Sequence, residues 1–187
     1  LTYPAIAAAS CSIIGTLSEF LIIVAVAAPP LFLPILPPIL AIIAIGVFTT
    51  IFSLRTPTGK LIITKPMSPL DFKSVAKLSI VIGGMLFLVG LAKLYLGSNA
   101  VEVIAFLGGL FELHGISLAT ALLNHAGRIN DITTIISLLL AVYATFVSKF
   151  GIILVLARNK FGFLLSLVLI LMLVASISVA ILSNPIF

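Results

Sequence analysis

Phe161-Gly162-Phe163-Leu164-Leu165-Ser166-Leu167-Val168-Leu169-Ile170-Leu171-Met172-Leu173-Val174-Ala175-Ser176-Ile177-Ser178-Val179-Ala180-Ile181-Leu182 carries no charged residue along its whole length. An α-helix rises about 1.5 Å per residue, so a run of about 20 apolar residues spans a hydrocarbon core about 30 Å thick. Comparable runs recur from Pro4 to Ala28, Leu31 to Leu54, Leu70 to Leu96 and Asn130 to Ala157. The whole chain is 62% hydrophobic and 8% charged, with a mean hydropathy of +1.42. A soluble domain carries about 25% charged residues. Too little polar surface remains to coat a soluble fold, and the expected class is all-α: a polytopic transmembrane helical bundle of about five to six segments in a lipid bilayer.

Prolines and glycines divide these runs. Pro29-Pro30 should stop the first helix, since proline inside a helix removes a hydrogen bond and clashes with the preceding turn. Pro34, Pro37 and Pro38 fall near the start of the second, where they kink it or delay its regular part. From Arg55 to Met67 the chain turns polar and reads as an aqueous loop. Ser68-Pro69-Leu70-Asp71 then has the form of a capping box leading into a helix that ends near Leu96. Asn99 can cap a further apolar segment, which Gly108-Gly109-Leu110-Phe111-Glu112-Leu113-His114-Gly115 interrupts. The expectation is one broken or re-entrant helix, its second half running from about Ile116 to His125. Asn130 or Asp131 caps the next helix, and the short basic connection Arg158-Asn159-Lys160 leads to the last.

The basic residues sit in connections: Arg55, Lys60, Lys65, Lys73 and Lys77 surround one loop, which the charge rule for membrane proteins assigns to the cytoplasm. A broken segment that crosses would put Arg158 and Lys160 outside, whereas a re-entrant one puts them inside with the other basic loop. Charge favours re-entry. The net charge of +5 follows from these loops rather than from a nucleic-acid-binding patch. The single cysteine, Cys11, excludes an internal disulfide. The chain does not open with the n-region, h-region and cleavage site of a signal peptide, in that order. It is read as a single membrane domain over residues 1–187, the C-terminal part of a longer chain.

Glu19, Glu112, His114 and Lys149 are ionisable residues inside apolar stretches, where a charge costs on the order of 2.5 kcal/mol or more in lipid. They are expected to face the bundle interior or a water-filled cavity. Ser12, Thr16 and Glu19 follow i, i+4, i+7 spacing and share a helix face; Ser137, Ala141, Thr145 and Lys149 form a second stripe; Ser117, Thr120 and Asn124 form a third. Such stripes serve equally as packing surfaces, since small residues let membrane helices approach closely. For the charges, a structural ion pair of Lys149 with Glu112 or Glu19 competes with a functional site. The two histidines lack metal-site spacing, and Thr56-Pro57-Thr58-Gly59-Lys60 lacks the first glycine of a P-loop. No metal, cofactor, nucleic acid or catalytic step is expected.

Gly109-Leu110-Phe111-Glu112-Leu113-His114-Gly115-Ile116-Ser117-Leu118 resembles the Gly-Leu-x-Asp-x-Asp-Ala-Ile-Thr-Leu stretch of the uncharacterised C-terminal membrane domain of MgtC/SapB-type proteins. Ser68-Pro69-Leu70-Asp71-Phe72-Lys73-Ser74 is similar to the Pro-Phe-x-Leu-Lys lead into a helix of that family, and Lys149-Phe150-Gly151-Ile152 to its Lys-Ala-Gly stretch. The resemblance implies that Glu112 stands for the first motif aspartate, Ser117 for the threonine and Lys149 for the lysine. His114 replaces the second aspartate and removes a fixed negative charge. An MgtC-like half before Leu1 and a prokaryotic cytoplasmic membrane are also implied. The functional expectation is a transporter-like protein that binds an ion, proton or small polar solute at Glu112, His114, Ser117, Lys149 and Glu19. The alternative is a regulatory or structural subunit that binds other membrane proteins or its own copies.

Overall fold

A computed structural model describes residues 2–55, 87, 98–157 and 159–183. The expected loop after Arg55, the Ser68 capping box, the helix up to Leu96 and Arg158 lie outside the described residues. Among those described there are six α-helices: α1 (Thr2–Ala27), α2 (Phe32–Arg55), α3 (Ser98–Gly109), α4 (Leu113–His125), α5 (Asp131–Leu156) and α6 (Lys160–Ser183). Four spans, Tyr3–Ala27, Pro29–Arg55, Asp131–Leu154 and Lys160–Ser183, are long and apolar enough to cross a membrane. The chain is an all-α integral membrane protein.

Local chemistry sets the ends of these helices. Ala28 leaves the helical region at φ −145°, and Pro29–Leu31 forms a single 3-10 turn before α2 begins. Pro37 and Pro38 stay inside α2, so two of its backbone hydrogen bonds are missing near its first turns. Asn130 caps α5, its side chain accepting from the Thr133 amide at 2.7 Å. At the end of α4 the chain reverses through Gly127, whose φ of +64° favours a residue without Cβ.

The helices associate by interlocking apolar side chains, the principal attraction available between helices in lipid. Leu17, Phe20 and Val24 of α1 meet Ile35, Ile39 and Ile42 of α2, Ile116 of α4, Leu138 and Val142 of α5, and Met172 of α6 in one buried cluster. Gly46 marks a close approach of three helices: a Cβ there would lie 3.0 Å from Ile14 Cγ1 and 3.3 Å from Met172 Cε. α1 and α2 form an antiparallel pair, with Thr49 Oγ1 donating to Ser10 Oγ at 3.1 Å. Lys149 and Ile153 of α5 border the same cavity as Ala9 and Ser12 of α1. Arg55, the start of α1, the end of α5 and Lys160 therefore lie at one end of the bundle.

Burial along α5 decides how the broken segment runs. Residues from Thr133 to Phe146 are largely buried, whereas Val147, Ile152 and Leu154 are exposed. α3 packs chiefly on α5, and its last residue, Gly109, meets Ala141 and Thr145. α4 ends beside the start of α5, where Asn124 Nδ2 donates to Asp131 Oδ1 at 2.8 Å. Both halves thus lie beside the first half of α5 and meet near its middle, a helical hairpin with its tip at residues 110–112. This is the re-entrant arrangement, and it brings Lys160 to the same end as Arg55, as the charge distribution favours.

Candidate functional site at the helix break

The hairpin tip is built by one carboxylate. Glu112 adopts extended backbone and is the N-cap of α4; its Oε1 accepts from the His114 amide at 3.0 Å and its Oε2 from the Gly115 amide. The first amides of a helix have no intrahelical partner, and an anion there also meets the positive end of the helix dipole. This cap starts α4 at Leu113, earlier than the Ile116 expected from sequence, and places Gly115 in the first turn rather than in the break.

On the other side of the tip, Gly109 lies flat against α5. A Cβ at Gly109 would come 2.7 Å from Ala141 Cα, so only glycine allows this approach. Thr145 Oγ1 donates to the freed Gly109 carbonyl at 2.8 Å and to Ala141 O at 3.1 Å. Part of the Ser137 to Lys149 stripe therefore serves the break directly.

His114 joins the tip to α1. Its Nδ1 lies 3.4 Å from Glu112 Oε1 and its Nε2 3.2 Å from Glu19 Oε2. The Nε2 contact has ion-pair distance without hydrogen-bond alignment. Side-chain exposure falls from 69% at Glu19 through 31% at His114 to 11% at Glu112, a gradient from the lateral surface of α1 into the tip. Each imidazole nitrogen lies within ion-pair distance of one carboxylate, and imidazole is the side chain whose ordinary charge change falls near neutral pH.

Two expectations are corrected here. Glu19 does not face the interior: Ile13, Leu17, Phe20 and Val24 occupy the packed face of α1, which turns Ser12, Gly15, Ser18 and Glu19 outward. Lys149 pairs with neither Glu19 nor Glu112, because both acids meet His114. α1 and α5 run antiparallel, and Lys149 borders Ser12, about two turns or 10 Å along α1 from Glu19. Ser117 is fully buried in α4 and spends its hydroxyl proton on the Leu113 carbonyl at 2.6 Å, as Thr120 does on Ile116 at 2.8 Å. Neither hydroxyl reaches the tip. The capping role of Glu112 was missed because glutamate is not among the preferred N-cap residues; the signal was an acid two and three residues before His114 and Gly115, whose amides it accepts from.

The family described as a domain of unknown function (DUF4010) matches residues 1–157. The chain belongs to that family. No curated protein and no solved structure matches it. In this DUF4010 chain the matched residues include all of α1 to α5, and with them Glu19, Glu112 and His114.

Proposed function

We propose that this DUF4010 chain is a transporter-like membrane protein that handles a proton at the tip of the re-entrant hairpin. One observation carries the reading: an imidazole within 3.2 Å and 3.4 Å of two carboxylates, at a helix break inside a membrane bundle. Intramembrane ionisable groups mark ion and proton paths, and non-helical backbone at membrane depth is tolerated where it is buried in protein or lines a cavity. The donor set suits a proton better than a metal ion. Both Glu112 oxygens already accept backbone amides, and among the described residues no three His, Cys, Asp or Glu side chains are grouped to hold a metal. The reading requires no catalytic step and no cofactor.

The test is reconstitution into liposomes containing a pH-sensitive dye. Proton flux that falls at least tenfold in Glu19→Gln and in His114→Gln, but not in Lys149→Met, supports the assignment. Undiminished flux in His114→Gln sinks it.

A second reading, a regulatory or structural subunit, draws on the outward face of α1. Ala8, Cys11, Ser12, Gly15 and Ser18 are exposed there, small residues of the kind that admit a neighbouring membrane helix. Absence of any flux together with cross-linking of the chain to another membrane protein through Cys11 would favour it. Under either reading the resemblance to MgtC/SapB-type proteins supports a C-terminal place in a longer chain and a prokaryotic cytoplasmic membrane.

A further inference from the structure

Lys149 takes no part in the tip, and its surroundings point elsewhere. It lies about 10 Å inside the end of α5. There it borders a cavity of about 220 Å³ between α1, α5 and α6, whose walls include Ile13, Ile153, Leu165 and Leu169. Among the described residues no acidic side chain pairs with it. Among the described residues the only other polar side chain at the cavity is Ser12, which is exposed and marks its mouth on the outer face of α1. A lone ammonium at membrane depth costs on the order of 2.5 to 3.5 kcal/mol unless something compensates it.

We infer that this cavity binds the anionic head of an amphiphile, held by the Lys149 ammonium and the Ser12 hydroxyl, with its apolar part against Ile13, Ile153, Leu165 and Leu169. The chemistry required is one negative oxygen-rich group on an apolar body. Walls that are apolar except for one cation and one hydroxyl reject a fully hydrated inorganic anion, which would lose its water without replacement bonds. The volume exceeds the roughly 150 Å³ of a cavity that accepts benzene and falls below the roughly 300 Å³ of drug-sized sites. It therefore takes a headgroup or a short acid rather than a whole lipid. Two sources present this chemistry: an anionic phospholipid of the bilayer, and a free fatty acid.

Thermal unfolding of the detergent-purified protein, titrated with dioctanoyl phosphatidylglycerol, octanoate and dioctanoyl phosphatidylcholine, tests the inference, because a ligand that binds only the folded state raises Tm with concentration. A rise of several degrees with the phosphatidylglycerol, with octanoate or with both, but not with the phosphatidylcholine, is expected. Phosphatidylglycerol alone identifies the lipid source, and octanoate alone the free acid. The rise should vanish in Lys149→Met, persist in Lys149→Arg and vanish in Ser12→Phe, which blocks the exposed mouth and leaves the lysine in place. Ser12→Phe also serves where Lys149→Met does not fold. Equal stabilisation by the zwitterionic lipid, no rise with any probe, or a rise that survives Ser12→Phe overturns the inference.

Discussion

His114 Nε2 on α4 lies 3.2 Å from Glu19 Oε2 on α1, and no other ion pair among the described residues links two of the bundle's helices. The contact lacks hydrogen-bond alignment, so it is expected to add little to stability, about 0.2 to 1 kcal/mol as for weakly aligned pairs. Glu19→Gln should therefore unfold within about 1 kcal/mol of the parent in mixed detergent micelles, even as proton flux falls. A loss of several kcal/mol would make Glu19 a structural anchor and remove it from the proposed path.

Glu112 should behave in the opposite way. Glu112→Ala removes both acceptors of the α4 cap and is expected to cost about 1 to 2 kcal/mol, whereas Glu112→Gln retains one oxygen and costs less. Glu112 and Lys149 do not touch, so a double-mutant cycle with Lys149→Met should be additive within about 0.5 kcal/mol. Coupling above about 1 kcal/mol would restore the ion pair that the geometry rules out.

Gly109 and Gly151 offer a paired test of the tip. A methyl at Gly109 meets the Ala141 backbone, which cannot rotate away, and Gly109→Ala should cost about 1 to 3 kcal/mol. Gly151, with nothing within 4 Å of its added Cβ, should accept alanine with a gain of up to about 1 kcal/mol from helix propensity. Equal behaviour of the two variants in the same unfolding measurement would mean that α3 does not rest on α5 as described.

The two ends of the bundle should also differ in accessibility. In a Cys11→Ser background, Asn159→Cys lies at the basic end and Ala126→Cys at the other, and both positions are exposed. An impermeant thiol reagent applied to intact cells should label Ala126→Cys and spare Asn159→Cys. The reverse pattern would invert the orientation.

Helix limits were legible because the chain marks them: Pro29-Pro30, Gly127 and Asn130 each act within a few residues and depend on nothing distant. The break was legible for the same reason, since Gly108 and Gly109 precede an acid and a histidine in an apolar run. The pairing of the charges was not. Whether Lys149 meets Glu19 depends on the stagger between α1 and α5, and a slide of about two turns separates an ion pair from the arrangement found. The cap was hidden by residue type: a carboxylate near a lysine-bearing helix suggests a salt bridge before it suggests two backbone amides.

The two sides of the hairpin tip are held by different means. Gly109 is pinned to α5 through its backbone contact with Ala141 and the Thr145 hydrogen bond, while α4 is started only by the Glu112 carboxylate. Further along, α4 is anchored by Ile116 in the buried cluster and by the hydrogen bond from Asn124 to Asp131. Both halves of the hairpin are thus fixed to the bundle, and residues 110–112 are a clamp between them: the separations of His114 from Glu19 and from Glu112 are set by how α1, α4 and α5 pack, and a change in that packing alters both together.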